Sequence, residues 1–155
     1  MNEQDRLIRA AGILEGEGSF FTKTNGHAPV VACQMTDQDV IQELHDLFGG
    51  SISEPSIREP HHKKLWAWSV QGDAAEIAMN LIKPYMFTRR INAIDKALNV
   101  WSARKRVIDD ARTKALAAAA SYMNHEGSLR EVAKMHGTSY ETVRRYVIVL
   151  NGPIV

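Results

Sequence analysis

The chain has 155 residues, 45% of them hydrophobic and 24% charged, which is enough apolar mass for a buried core and excludes wholesale disorder. No run approaches the roughly 18 apolar residues of a membrane span, and Met1-Asn2-Glu3-Gln4-Asp5 lacks the basic-then-apolar layout of a secretory signal, so a soluble, cytoplasmic protein with no membrane partner is expected. A net charge of +1 hides a division, −6 over residues 1–60 against +7 over residues 61–155; a basic remainder suits a polyanion, and an acidic front suits a metal ion or a solvated helix face.

Leu7, Ala10, Ala11 and Leu14 recur at helical spacing and predict a first helix over residues 3–15, stopped by Gly16 and Gly18. Two β-prone runs, 19–24 and 29–36, flank Asn25-Gly26, a dipeptide that tolerates positive φ and predicts a hairpin turn. Cys33, the only cysteine, excludes an intrachain disulfide framework or a cysteine-built zinc cage and reads as a core residue. Asp37 can cap a second helix whose stripe is Val40, Ile41, Leu44, Leu47 and Phe48, ended by Gly49-Gly50. A second hairpin follows over 51–56 and 65–71, in which Trp66, Trp68 and Val70 alternate with polar or small residues, so the tryptophans face the core.

Helical patterns then cover 73–82, as far as Lys83-Pro84, and 89–105, where Ile91, Ile94, Ala97, Leu98 and Trp101 recur. The alanine-rich stretch 107–120 is a helix-prone connector, with a boundary near Ala111. Residues 128–147 read as two short helices around Gly137, with Ala133 small at the crossing, Ser139 as cap, and Val143 and Tyr146 in the core. That is a helix-turn-helix pattern, and in it Ser139, Tyr140, Thr142, Arg144 and Arg145 would face a DNA groove. An ordinary helical hairpin has the same periodicity.

The segment Ala10-Ala11-Gly12-Ile13-Leu14-Glu15-Gly16-Glu17-Gly18 breaks local rules. Two carboxylates stand where the helix dipole is negative, and no Lys or Arg occurs between Arg9 and Lys23, so a cation from outside the segment is expected. Gly12 and Gly16 share a helix face and permit close approach of a second helix. Taken alone, the pattern fits either divalent-ion binding between two such helices or ordinary core packing beside solvated acids.

Residues 10–18 resemble the signature of the LAGLIDADG homing endonucleases, with Glu15 and Glu17 in place of its two aspartates. The α-β-β-α-β-β-α order agrees with that family, and Trp66-Ala67-Trp68-Ser69-Val70 and Lys83-Pro84-Tyr85 are similar to its later landmarks, so the resemblance covers about residues 7–101. It implies a LAGLIDADG core with an antiparallel saddle sheet over residues 1–110; together with the helix-turn-helix pattern, read as a small all-α domain over 111–155, this gives an α+β fold class. It also implies a homodimer, since the motif occurs once, with Ala11, Gly12, Glu15 and Gly16 at the interface and a near-palindromic double-stranded DNA target.

By the same resemblance Glu17 is the catalytic, metal-binding carboxylate, and the Gly16 carbonyl adds a second oxygen to a Mg2+ ion. Asp37 matches a polar residue that orients solvent, and Arg89, or its neighbour Arg90, matches a cation beside the scissile phosphate. The sheet would lie in the major groove and read bases through Lys23, Gln34, Thr36, Ser53 and Ser69, with Arg58 and Lys63 from the loop. The implied activity is a metal-dependent double-strand break. The rival readings are a transcription regulator on a non-catalytic scaffold and an RNA splicing helper. His61-His62 reads as a solvated basic loop rather than a zinc site, and Arg104-Lys105-Arg106 as phosphate contacts or a favourable helix end.

Overall fold

Asn2 opens the first helix, α1 (Glu3–Glu17), by accepting the Asp5 backbone N–H on its side-chain oxygen at 2.8 Å, with Glu3 and Asp5 at the positive end of the dipole. The structure is a computed structural model, and it describes residues 2–25, 27–53 and 64–151. α1 runs two residues beyond the end expected from sequence and passes without a loop into β1 (Gly18–Thr22). Gly18 makes that junction possible: its N–H closes on the Leu14 carbonyl, and a Cβ there would stand 2.4 Å from the same oxygen.

β1 pairs with β2 (Pro29–Met35), and the turn between them closes through Lys23 N–H to Ala28 O at 3.0 Å and His27 N–H to Lys23 O at 3.1 Å. His27 has a φ of +57°; the expected turn glycine, Gly26, lies outside the described residues. α2 (Gln38–Phe48) buries Ile41, Leu44 and Phe48. Asp37 stands at its N-cap position, but its side chain caps nothing, contrary to the sequence expectation. Its ψ is 103°, against 168° at Asn2 and 162° at Ser128, where side chains do cap, and Asp39 takes the Val40 N–H instead at 3.0 Å.

β3 (Ser51–Ser53) and β4 (Trp66–Gln71) complete an antiparallel sheet of order β1-β2-β4-β3. α3 (Asp73–Ile82) ends in a 3-10 turn, Lys83–Tyr85, around Pro84. The core lies between the helices and one sheet face, where Ala10, Ala11, Leu14, Val31, Cys33, Ile41, Leu44, Trp68, Val70, Met79, Ile82 and Ile94 meet. The tryptophans face it as the alternation predicts, with Trp68 buried and Trp66 partly so, and Phe20 of β1 packs partly buried against the same core. This is the mixed α+β architecture expected from sequence.

α4 (Thr88–Met123) is one unbroken helix of 36 residues, so the stretch 107–120 continues it instead of forming a separate connector. That stretch holds no Gly or Pro, and Asp110 pairs with Lys114 one turn on at 2.8 Å. The chain divides into two compact units, Met1–Ser102 and Ala103–Val155. The second has its own core of Ala118, Ala119, Val132, Ala133, Val143 and Val147, with Tyr122, Leu129 and Tyr146 against it. Ser128 and Glu131 form a capping box at the start of α5 (Leu129–Met135), and Gly137, at φ +65°, turns the chain towards α6 (Tyr140–Asn151).

Candidate functional site

No basic residue stands in the last turn of α1, so its terminal carbonyls need an outside donor. Arg90, in the first turn of α4, supplies it: Nε donates to the Glu15 carbonyl at 2.9 Å and an Nη to the Gly16 carbonyl at 3.1 Å. This is the cation that the acidic segment called for. The Glu15 carboxylate accepts the Phe87 N–H at 3.1 Å, at the start of α4, and is therefore engaged within the chain. Glu17 and Gly16 are exposed, and so is Arg89.

Glu17 borders the open face of the sheet. It lines a shallow hollow of about 510 Å³ together with Ser19, Phe21, Ala32, Cys33, Gln34 and Leu65. Burial pushes the Cys33 thiol up to about 11, with the nearby Glu17 charge adding to the shift, so this cysteine is a protonated core group at neutral pH.

Strand register assembles the rest of that face. Ser19 stands opposite Ala32, Ala32 opposite Ser69 and Ser69 opposite Ser51, while Gln34 stands opposite Ala67 and Ala67 opposite Ser53. Gln34, Ser53 and Ser69 therefore share one face, with Gln34 and Ser53 exposed and Ser69 partly so. Lys23 and Thr36 are exposed just past the ends of β1 and β2, and Lys23 donates to the Gln71 side chain. Arg58 and Lys63, like His61 and His62, lie outside the described residues. Phe21, 45% exposed, and Gln71 belong to the same face and were missed, although the alternation that turns Phe20 inward turns Phe21 outward.

Ala11, expected at an interface, is fully buried in the chain's own core and offers no surface. The exposed stripe of α1 is Ile8, Gly12 and Gly16, with Ile8 45% exposed. Asp37 is exposed at the start of α2.

In the second unit, Ser139 caps α6: its Oγ accepts the Thr142 N–H at 3.2 Å and lies 2.8 Å from the Thr142 hydroxyl. Tyr140 carries the Arg130 guanidinium over its ring at 5.8 Å. Arg144 and Arg145 are exposed and line a shallow hollow with Glu141 and Ile148.

This architecture matches solved structures along nearly its whole length. The homing endonuclease I-CvuI, in complex with its Sro1.3 target in the presence of 2 mM Ca, aligns with a TM-score of 0.52 at 12% identity, over 99% of this chain and 98% of that one. The chain has the LAGLIDADG homing-endonuclease fold. I-CvuI with the I-CreI target C1221 in the presence of 2 mM Mg, its DNA not cleaved, aligns at TM-score 0.50 and 13% identity over the same shares. The archaeal intron-encoded I-Vdi141I complexed with DNA aligns at 0.45 and 14%, over 68% of this chain and 85% of that one. No protein-family profile matches the sequence, and no curated protein is significantly similar to it. Within the LAGLIDADG fold, Glu17 ends the motif helix, and the open sheet face begins beside it.

Proposed function

We propose that this chain is a site-specific DNA endonuclease that acts as a homodimer with a divalent ion, Mg2+ as the physiological one, and makes a double-strand break in a near-palindromic target. The observation that carries the reading is the placement of the exposed Glu17 carboxylate on the rim of a sheet face that combines Ser19, Ala32 and Gln34 with the exposed apolar side chains of Phe21 and Leu65. Such a face suits base edges in a major groove, and the acid next to it suits chemistry at the adjoining backbone. The DNA complexes of I-CvuI support a DNA partner.

The donor set fits a hard divalent cation. Glu17 offers a carboxylate, and the Gly16 carbonyl keeps one lone pair beyond its bond to Arg90. No group of three potential side-chain ligands exists among the described residues, which fits an ion completed by DNA phosphates, water and a second copy of α1. When bound, the ion would neutralise the phosphate and activate the attacking water. Arg89, exposed in the first turn of α4, is proposed to neutralise the scissile phosphate, and Asp37 to hold solvent.

Pairing of two α1 helices is supported by glycines that the single chain does not require. A Cβ on Gly12 or Gly16 would meet nothing within 4 Å, and neither residue has a positive φ, yet a glycine in a helix interior costs about 1 kcal/mol relative to alanine. Close approach of a second backbone accounts for both. The exposed stripe of Ile8, Gly12 and Gly16 is therefore the proposed interface, with Glu15 at its margin. The second unit, with Arg144 and Arg145 on α6, is proposed as a helix-turn-helix that lengthens the DNA contact.

The test is Mg2+-dependent cutting of a duplex selected for binding from randomised DNA. Glu17→Gln should bind that duplex normally and lose cutting at least about 100-fold, the scale on which removal of one charge-stabilising group acts. Undiminished cutting by the variant refutes the assignment. Binding without cutting by the unaltered protein turns the reading to a transcription regulator.

A further inference from the structure

Arg90 holds two consecutive peptide groups. The carbonyls it grips, of Glu15 at 2.9 Å and Gly16 at 3.1 Å, belong to the peptides on either side of Gly16, and the second of these leads directly into Glu17. The guanidinium also lies 5.9 Å from the centroid of the Phe20 ring on β1, so it is held from the strand side as well. In return Glu15 accepts the Phe87 N–H, and each helix supplies a counter-charge to the other's end.

We infer that Arg90 is a positioning residue for the acidic centre: by fixing the Glu15 and Gly16 carbonyls it sets the direction of the Glu17 carboxylate and of the open lone pair on Gly16, and thereby the affinity for the divalent ion. The inference rests on the reading of Glu17 as the ion's carboxylate. In this role Arg90 does not touch DNA, which distinguishes it from the exposed Arg89 beside it. The arginine fork matters because two different nitrogens address the two carbonyls; a lysine, with one donor centre on a flexible stem, keeps the charge and loses that geometry.

The experiment uses the full chain bound to a duplex selected for affinity from randomised DNA, and follows Tb3+ luminescence alongside the Mg2+ dependence of cutting. Arg90→Gln should weaken Tb3+ binding by about 10- to 100-fold, the usual effect of losing a group that orients a metal ligand. The Mg2+ concentration for half-maximal cutting should rise in parallel, saturating Mg2+ should recover most of the rate, and DNA affinity without metal should not change. Arg90→Lys should fall between. Wild-type Tb3+ affinity in a folded Arg90→Gln chain overturns the inference, as does slower cutting at saturating Mg2+ with an unchanged half-point, which makes Arg90 a phosphate contact. If Arg90→Gln does not fold, Arg90→Lys decides: unchanged Tb3+ affinity refutes positioning by the fork. A wild-type chain that binds Tb3+ but cuts nothing defeats the nuclease reading alone, and the Tb3+ comparison still decides Arg90. No Tb3+ binding by the wild type overturns both.

Discussion

The indole N–H of Trp68 donates to the Gly49 carbonyl at 2.8 Å, which joins the middle of the sheet to the residue that ends α2 in a left-handed turn at φ +68°. Trp68 is 1% exposed, and its ring meets Phe48 at 6.0 Å between centroids. Trp68→Phe removes part of a close-packed side chain and leaves a carbonyl without its donor. Cavity and lost hydrogen bond together should lower stability by about 2–4 kcal/mol, read in urea as an earlier midpoint with an unchanged slope. A midpoint equal to the wild type's would show that this junction bears little of the fold's stability.

The inward face of Trp68 was legible in the sequence because a period of two is local: Trp66, Trp68 and Val70 declare a face without help from the rest of the chain. The end of α1 was not. Gly-Glu-Gly reads as a helix stop, and what prolongs the helix to Glu17 is a guanidinium more than 70 residues away in sequence, a pairing that no local pattern encodes. Helix α4 was underestimated for a different reason. Ala115, Ala118 and Ala119 read as helix propensity, but they are fully buried, because small side chains can form a packing face as well as promote a helix. The Asp37 cap failed on backbone geometry, which residue type alone does not specify. Around Glu17 the sequence displays the acidic residues, whereas the bonds from Arg90 to the Glu15 and Gly16 carbonyls, and the exposure of its neighbour Arg89, are set by tertiary placement.

Gly18 and Gly12 of the α1 segment should respond in opposite ways. Gly18→Ala forces a Cβ against the Leu14 carbonyl at 2.4 Å and Cα at 2.9 Å, so the helix-to-strand junction must open and the chain should be strongly destabilised. Gly12→Ala meets open space and should raise the stability of the separate chain by up to about 1 kcal/mol through helix propensity. If two copies cross at this face, the same substitution weakens their association and slows cutting. Thermal melting at low concentration and sedimentation of the DNA-bound species read the two effects separately. A Gly12→Ala protein with wild-type association and activity would remove α1 from the interface.

Arg6 joins α1 to α2 through a forked contact with Glu43, Nε to Oε1 at 2.7 Å and Nη2 to Oε2 at 3.1 Å. The hydrogen bond from Arg6 holds the Glu43 carboxyl below its ordinary 4.5. A lowered folded value means that the stabilisation is complete above 4.5 and disappears as pH falls through the folded value. Glu43→Gln should therefore cost stability at neutral pH, modestly because the pair is partly solvated, and the gap from wild type should close on acidification. Parallel denaturation curves at neutral and strongly acidic pH measure it, and a gap independent of pH would assign the effect to packing.

On α6 the helix cap and the candidate DNA contacts are separable. The Ser139 hydroxyl is engaged with Thr142 at the start of the helix, so Ser139→Ala should cost the second unit about 1 kcal/mol, and Ser139→Asp should retain the cap. Arg144 and Arg145 are exposed, and replacing both with Gln should leave stability within about 0.5 kcal/mol. If both meet phosphates, the double variant weakens binding on every duplex, and the slope of log affinity against log salt falls by about two, close to one for each lost contact. A footprint and salt slope identical to wild type would exclude this pair from the DNA interface, while a loss confined to one sequence would move the arginines from phosphates to base edges.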